Sequence, residues 1–436
     1  MTSSESLLSR AGRWLTFGSA NDLTPYAFQA PASRAAVWLT FASAAAIMFS
    51  IAVSQILLAL AVAALLASGE ELRLPRIKWP LALFMLGTLL SLAFSGDPRA
   101  GIPQVRKFHV FLELLVVYST LRDLKVVRWL FLTWAGIGGL TAVRGFVQFF
   151  DKMRQAAEFG RSSYNAYVAE RITGFTSHWN TYAAEEMFAL VMVGAFLLFA
   201  PRGKRTWVWI LCALLIGVAV LLAWTRGVWI AAAVAAAYLA WQRRAWLVVL
   251  VPLVVILAFF ASPAAMRARF KSIYNPTTVD SNQFRIVAWR TGLRMIERHP
   301  LLGVGPEGVM RHFDEYVPAD IPRPLPEGYY GHLHNIYVHY AAERGIPTML
   351  ALMWMLVQIG VDFWRGLRAL RPGPSLRRFL LNGGIAVLLA TMVEGVVELN
   401  LGDSEVLTMF LVVVACGYVA LDKVGAAEAD AAAAHT

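Results

Sequence analysis

The sequence predicts an all-α, polytopic membrane protein with about twelve transmembrane helices and one long periplasmic loop that contains short amphipathic helices. Of its 436 residues, 58% are hydrophobic and 15% are charged, which leaves too little polar surface to cover a soluble domain. Segments such as 207–224 and 247–261 carry no charge over about the length of a bilayer crossing. Lysine and arginine are concentrated in alternate connections, the pattern of a multi-pass protein.

Apolar runs of helical length follow one another along the chain. They lie near residues 35–49, 51–67, 79–95, 104–120, 127–149, 178–200, 206–223, 227–241, 245–261, 343–363, 379–397 and 404–421. The first two are close enough to form a single hairpin. Each run is predicted to cross the membrane as one helix.

The basic residues predict the orientation of these helices. Every second connection carries them: Arg73, Arg76, Lys78, Arg122, Lys125, Arg128, Arg202, Lys204, Arg205, Arg243, Arg244, Arg365, Arg368, Arg371, Arg377 and Arg378. The last connection of the other set has Glu394, Glu398 and Asp403 and no base. We therefore expect both termini in the cytoplasm. This placement also accounts for the net charge of +11 without nucleic acid as a partner.

The same pattern divides the chain into five parts. They are a cytoplasmic N-terminal tail (1–34), helices 1–9 (35–261), a periplasmic loop (262–342), helices 10–12 (343–421) and a disordered cytoplasmic tail (422–436). The first tail lacks the charged-then-apolar pattern of a signal peptide. The second is rich in alanine.

The predicted periplasmic loop contains an amphipathic helix over about 283–296. Its apolar side chains recur at helical spacing, and Arg285, Arg290, Arg294 and Arg298 lie on its polar side or margins. Such a basic stripe is usually solvated or faces lipid headgroups, but a guanidinium fork is also well suited to hold a phosphate. For Arg267, Arg269 and Lys271, at the start of the loop, anchoring to headgroups is the simpler interpretation.

Two further patterns lie in this loop. Gly303 and Gly305 form a tight Gly-x-Gly turn, but no strand–turn–helix unit surrounds it, so a nucleotide-binding fold is not supported. His332 and His334 point the same way if the segment is extended, and histidine can take a proton near neutral pH. A metal site would need a third ligand, and Cys212 and Cys416 both fall inside predicted spans.

Polar residues at two other outer helix starts are candidates for binding. Arg226 is nearly alone among apolar residues between two spans, where it is either a helix-end anchor or a functional group. Ser177 is a plausible N-cap for the span that begins near 178, and a helix N-terminus favours an anion. Asn180 in the first turn is interpreted either as a packing residue or as part of a binding site.

Together these motifs resemble the O-antigen ligase and polymerase-type superfamily of lipid-linked glycan enzymes. The matching residues are Gly174, Phe175 and Asn180; Thr225, Arg226 and Gly227; Arg285, Trp289, Pro300, Leu301, Gly303 and Gly305; and His334, Asn335, Tyr337, Gly345, Ile346 and Pro347. The resemblance implies a GT-C-like glycosyltransferase in the bacterial inner membrane, with its active site facing the periplasm.

The resemblance also implies the roles of individual residues. Arg226 and Arg285 would hold the diphosphate of an undecaprenyl-diphosphate-linked O-antigen, and His334 would act as general base on a hydroxyl of lipid A–core oligosaccharide. Further candidates for substrate binding are Asn180, Trp289, Arg290, His332, Asn335 and Tyr337. Because no Asp-x-Asp pair occurs on an outer loop, we expect transfer without a metal ion, with Asp403 and Glu405 as the main reservation. We also expect inversion at the anomeric carbon and no cofactor.

Three functions fit these observations. The first is ligation of O-antigen to lipid A–core in lipopolysaccharide biosynthesis, which the length and the single compact loop favour. The second is an O-antigen polymerase or protein O-oligosaccharyltransferase of the same superfamily. The third is a transporter of anionic lipids, against which the sequence shows no paired halves with matching broken helices.

Overall fold

The computed structural model describes residues 30–160, 162–274 and 282–433, and these residues are all-helical, without strands. In chain order the helices are α1 (Pro31–Ala46), α2 (Ile51–Ala67), α3 (Lys78–Ala93), α4 (Pro98–Arg106), α5 (Leu112–Thr120), α6 (Leu124–Glu158), α7 (Ser163–Ala169), α8 (Trp179–Phe199), α9 (Thr206–Leu222), α10 (Arg226–Arg243), α11 (Leu250–Ala261), α12 (Ala264–Lys271), α13 (Asn282–Arg298), α14 (Gly308–Tyr316), α15 (Ile336–Arg344), α16 (Ile346–Ala369), α17 (Leu376–Glu394) and α18 (Ser404–Ala433). Short 3₁₀ turns precede α5, α11 and α18. The all-α prediction is confirmed for this part of the chain.

Most apolar runs predicted as spans coincide with a helix, but the run 104–120 does not: it is divided among the end of α4, a 3₁₀ turn (Lys107–Phe111) and the nine-residue helix α5, so the prediction of one helix there is wrong. Five helices in the described residues are long and apolar enough to cross a membrane: Leu124–Glu158, Trp179–Phe199, Ile346–Ala369, Leu376–Glu394 and Ser404–Asp422. Four shorter apolar helices accompany them: Ile51–Ala67, Lys78–Ala93, Thr206–Leu222 and Ala245–Ala261. Length and composition thus agree with a multi-pass membrane protein, while the number twelve stays a prediction.

The connections separate into two groups at opposite ends of the helix bundle. The basic connections lie at one end. The connections before α3 and before α6 are joined there by the ion pair of Glu70 with Arg122 (3.3 Å). The connection before α17 meets the end of α8 where the Ser375 amide donates to the Phe199 carbonyl (2.9 Å). At the other end the first turn of α8 contacts the connection after α17, through Asn180 and Glu398 (2.8 Å). The alternate pattern of connections therefore matches the two ends of the bundle.

The described residues of the segment 262–342, which are 262–274 and 282–342, form a small helical layer at the second end. Helix α13 covers the predicted amphipathic stretch, and its apolar face packs with α14 in a cluster that includes Val287, Met295, Phe313 and Leu333. The sequence Asn275-Pro276, which predicts a turn before this helix, lies outside the described residues. Helix α15 runs past the predicted loop boundary to Arg344, because the chain turns only at Gly345, where φ is 84°.

Three details differ from the prediction at helix ends. Helix α1 begins at Pro31, inside the segment assigned to the N-terminal tail. Helix α18 continues to Ala433, where a disordered tail was predicted from 422, because alanine has the highest helix propensity. The N-cap of α8 is His178, whose Nδ1 accepts the Asn180 amide (3.2 Å), so the prediction of Ser177 as the cap is wrong.

The Gly-x-Gly turn is structural, as the lack of a nucleotide-binding unit indicated. The Val304 and Gly305 amides donate to the carbonyls of Ala342 and Glu343 (both 2.9 Å). A Cβ at Gly303 would collide with the backbone of Glu343, and its φ of 67° favours glycine. The turn therefore fixes the end of α15, the helix that follows His334.

Candidate functional site

The candidate site is centred on the carboxylate of Glu398, in the connection between α17 and α18. Its Oε1 lies 3.1 Å from His334 Nδ1 and also accepts the Leu399 amide (3.1 Å). Its Oε2 accepts from Asn180 Nδ2 (2.8 Å) and from an Arg285 terminal nitrogen (3.5 Å). The side chain is 13% exposed. One acceptor group thus links four segments that are distant in sequence.

The neighbours of Glu398 keep it ionised. Burial raises the pKa of this carboxyl, but the hydrogen bond with His334 and the positive charges of His334 and Arg285 lower it to about 2. Every group facing it is a donor, which suits a carboxylate with two acceptor oxygens. The carboxylate therefore holds both the imidazole and the guanidinium in place.

His334 is buried at the start of α15 with a strained backbone. Its φ is 47°, an uncommon conformation for a residue other than glycine. Its Nδ1 faces Glu398, and its Nε2 faces the Tyr329 carbonyl oxygen (3.1 Å). Both partners only accept, so both ring nitrogens carry hydrogen in this arrangement. The ring also lies edge-on to Phe284, with centroids 5.0 Å apart.

His332 lies beside His334, as predicted, but not because the segment is extended. The left-handed turn at His334 brings the two ring centroids to 4.0 Å and lets the His334 amide donate to His332 Nδ1 (3.3 Å). Burial and the charge of His334 lower the pKa of His332 to about 3. This imidazole is therefore neutral, with its proton on Nε2, the nitrogen that faces Glu398 Oε1 at 3.9 Å.

His332, His334 and Glu398 together form a possible set of metal ligands. Their ligand atoms lie within 4.8 Å of one another, and Glu398 supplies the third ligand that the sequence did not identify. To bind a metal ion, however, Nε2 of His332 would have to release its proton, because Nδ1 already accepts the His334 amide. The nearby Arg285 guanidinium would also repel the metal cation. The hydrogen bonds present suit an organised carboxylate better than a metal centre, and metal independence stays a prediction.

The two predicted diphosphate-binding residues, Arg226 and Arg285, are connected through contacts at the start of α13. Arg285, in the first turn of α13, reaches Glu398; burial lowers the pKa of its guanidinium, Glu398 raises it and Arg269 lowers it. Arg226, the first residue of α10, is 8% exposed and donates to Asn282 Oδ1 (2.7 Å), at the start of α13. It also donates to the Ser272 carbonyl (2.6 Å). The start of α13 thus connects Arg226 with Arg285, which in turn contacts Glu398.

The remaining predicted site residues lie at different distances from this centre. Asn180 contacts it directly, and Trp289 Nε1 donates to the His334 carbonyl (3.4 Å). Asn335 caps α15 and donates to the Val396 carbonyl (2.9 Å), while the Tyr337 hydroxyl donates to the Met392 carbonyl (2.8 Å). These last two hold α15 against the end of α17. Arg290 instead forms an exposed ion pair with Asp320 (2.7 Å).

Sequence reasoning missed three buried charged residues near the site. Glu398 was noted only as an acid in a connection without bases, and that isolated charge beside a span was the available signal. Arg269, interpreted as a headgroup anchor, is 2% exposed. Arg171, one of several bases in the sequence between the predicted spans 127–149 and 178–200, is 8% exposed. Nothing in a single sequence marks such residues as buried.

The fold and the site together define a multi-pass membrane protein with a buried polar site at one end of its helix bundle. Residues 211–353 match the family model described as O-Antigen ligase, so this part of the chain is similar to that family and the predicted resemblance is confirmed. The match includes Arg226, Arg285 and His334 and ends before Glu398. No curated protein matches the chain.

Proposed function

We propose that the chain is an O-antigen ligase that transfers O-antigen polysaccharide from undecaprenyl diphosphate to lipid A–core oligosaccharide at the periplasmic face of the bacterial inner membrane. The observation that supports this most directly is the Glu398 carboxylate, which joins the buried imidazole of His334 to the partly buried guanidinium of Arg285, two residues of the segment that matches the family model. An acid–base group and an anion-binding group are the two requirements of transfer from a diphosphate carrier.

In the proposed step, a hydroxyl oxygen of the acceptor attacks the anomeric carbon of the donor glycan. The bond from that carbon to the phosphate oxygen breaks, and its electron pair leaves with undecaprenyl diphosphate. Arg226 and Arg285 stabilise the charge that develops on the phosphate oxygens. His334 takes the hydroxyl proton, and attack opposite the leaving group inverts the anomeric carbon.

Nε2 is the nitrogen of His334 that would accept this proton. Nδ1 is held by Glu398, so the neutral ring keeps its remaining hydrogen there and carries its lone pair on Nε2. In the structure Nε2 faces the Tyr329 carbonyl at 3.1 Å. We propose that the acceptor hydroxyl takes the place of this carbonyl after Nε2 has lost its proton. Glu398 is then a positioning residue that acts through His334.

The proposal includes the finer predictions made from sequence. The chain would cross the membrane about twelve times, with both termini in the cytoplasm. Catalysis would need no metal ion. The reaction would take place near the outer headgroup layer, at the helix ends where Arg226 begins α10 and His334 precedes Asn335, the N-cap of α15.

The direct test mixes purified protein, lipid-linked O-antigen and lipid A–core in detergent with excess chelator. We expect ligated lipopolysaccharide from the wild type and none above background from His334→Ala. His312→Ala is the matched control, because this histidine lies in the same layer with its side chain 41% exposed, and it should leave the yield unchanged. Wild-type activity that disappears with chelator and returns with a divalent cation would refute metal independence.

The products distinguish the other functions. Longer glycans that remain on the carrier would identify a polymerase, and glycan on an added protein acceptor would identify a protein O-oligosaccharyltransferase. Movement of labelled lipid across a vesicle membrane without a new glycosidic bond would identify a transporter. Each of these results, without ligation to lipid A–core, contradicts the proposal.

A further inference from the structure

Three buried arginines meet around the short turn that precedes α10. Arg226 begins this helix, and Arg171 and Arg269 bind the two residues before it. The Arg171 terminal nitrogen donates to Thr225 Oγ1 (3.4 Å), and Arg269 Nε donates to the Trp224 carbonyl (3.0 Å). Arg171 and Arg269 come from loop 170–178 and from α12, so three separate segments bring positive charge to one turn.

The turn itself has features of an anion site. Thr225 occupies the N-cap position of the 18-residue helix α10, but it donates its hydroxyl to the Ala223 carbonyl (3.3 Å) and makes no side-chain cap bond. The first-turn amides of α10 therefore lack a side-chain acceptor at their N-cap, and a helix N-terminus attracts negative charge. Trp224 has a φ of 50°, a strained conformation of the kind that recurs at binding sites.

The environment of Arg171 does not suggest a structural ion pair. Its side chain donates hydrogen bonds of 3.4 Å to the Val168 carbonyl and to Thr225 Oγ1, both of them neutral oxygens. Its guanidinium lies over the Trp179 ring at 4.8 Å. Within the described part of the chain, no carboxylate lies within salt-bridge distance of Arg171. A buried cation in such a position needs a reason other than stability.

The other arginines are close enough to affect its ionisation. Burial lowers the pKa of Arg171 to about 9, and the positive charges of Arg269, Arg285 and Arg226 contribute to the shift. Arg269 also contributes to the lowered pKa of Arg285. The four guanidinium groups therefore lie around the starts of α10 and α13, where Arg226 donates to Asn282, three residues before Arg285. Four positive charges in one region favour the binding of an anion among them.

We infer that Arg171 and Arg269 bind the donor together with Arg226 and Arg285, so that two pairs of arginines hold the two phosphates of a lipid-linked diphosphate and select it over a monophosphate. The inference rests on the proposed function, since it concerns the carrier group of the same donor. Guanidinium forks suit this task because each binds two phosphate oxygens at fixed geometry. Arg171 and Arg269 lie outside the motif positions that match the family.

Binding of unreactive probes tests the inference without relying on catalysis. Farnesyl diphosphate and farnesyl monophosphate are titrated in detergent by isothermal calorimetry, against the wild type, Arg171→Gln and Arg269→Gln. We expect the wild type to prefer the diphosphate, and each variant to bind it about 10- to 100-fold more weakly, the effect of losing a charge-assisted hydrogen bond. The preference for diphosphate over monophosphate should narrow in both variants.

Two controls make the comparison specific. Arg154→Gln removes an arginine whose side chain is 72% exposed, and its affinity for the diphosphate should equal that of the wild type. Inorganic pyrophosphate separates a lipid-linked ligand from a free anion. A lipid-linked ligand predicts tighter binding of farnesyl diphosphate, because its chain buries apolar surface; equal affinity would overturn that part of the inference.

The outcomes separate this inference from the function on which it rests. Normal diphosphate binding in Arg171→Gln and Arg269→Gln, with loss in Arg226→Gln, would overturn the inference and leave the proposed function intact. Absence of diphosphate binding in the wild type would count against both. If the glutamine variants do not fold, a structure of the wild type with farnesyl diphosphate decides. Guanidinium nitrogens of Arg171 and Arg269 at about 2.7–2.9 Å from phosphate oxygens support the inference, and separations well beyond hydrogen-bond range refute it.

Discussion

Replacing Glu398 with glutamine removes the central negative charge and preserves the size of the side chain. The carboxylate accepts from His334, Leu399, Asn180 and Arg285. An amide has one accepting oxygen and one donating NH₂ group, so whichever way it is oriented, donors face donors on one side. Glutamine therefore cannot satisfy both His334 and the Asn180–Arg285 pair.

The size of the effect follows from the contact with His334. A hydrogen bond to a charged group contributes about 1.5–3 kcal/mol, more than a neutral bond. If that contribution is needed to orient the imidazole in the transition state, its loss lowers kcat/KM about 10- to 150-fold. Because Glu398 acts through the base, we expect most of the loss in kcat and little change in KM for the lipid-linked donor.

The assay measures initial rates of ligation while donor and acceptor concentrations are varied separately. Glu398→Asp keeps the charge on a shorter side chain and should recover part of kcat. Asp314→Asn is the control for loss of a carboxylate, since this side chain is 80% exposed and pairs only with Arg323 at the surface of the layer. A Glu398→Gln enzyme with kcat within about threefold of the wild type would refute the reasoning, because that change is below 1 kcal/mol.

Three further predictions concern Glu398, Gly303 and Arg285. The pKa of Glu398 is about 2 in the folded protein against an ordinary value of 4.5, so the ionised carboxylate stabilises the fold above pH 4.5, and this contribution is lost as pH falls toward 2. The melting temperature of the wild type should therefore fall more steeply between pH 4.5 and 2 than that of Glu398→Gln. Parallel curves for the two proteins would contradict this. Gly303→Ala should destabilise the fold by about 2 kcal/mol or more, through a clash and a positive φ, whereas Gly203→Ala, with open space around it, should melt like the wild type. Arg285→Gln should abolish most ligation, while Arg290→Gln, which breaks an exposed ion pair, should change kcat/KM by less than about fivefold; similar losses in the two variants would contradict the distinction drawn from burial.

The helices were predictable from the sequence because their signal is local. An apolar run of bilayer length must be helical to satisfy its backbone hydrogen bonds in lipid, and most such runs coincide with a helix; the run 104–120 instead contains a 3₁₀ turn between two short helices. Errors occurred at helix ends, where a cap depends on the conformation of a few residues. His178 rather than Ser177 caps α8, which hydropathy cannot reveal.

The site was only partly predictable because it depends on contacts between distant segments. Arg226, Arg285 and His334 stand out as unusual polar residues in motifs, and the structure connects them. Glu398, which joins His334 to Arg285, lies 64 positions from His334. Arg171 has no distinguishing sequence pattern, because its burial is decided by the packing of loop 170–178 against the turn before α10. One sequence does not encode that packing in any local pattern.

The position of the site at one end of the bundle has an electrostatic consequence that side chains alone do not provide. Four helices begin at the site: α8, α10, α13 and α15. Asn180 and Arg285 reach Glu398 from the first turns of α8 and α13. Arg226 is the first residue of α10, and His334 directly precedes the N-cap of α15. Each helix N-terminus carries a partial positive charge, so four of them add to the arginines in favouring an anion. This contribution comes from the backbone and survives substitution of any one side chain. Single arginine variants should therefore weaken diphosphate binding without abolishing it, and the residual affinity measures how much of the site is built into the fold.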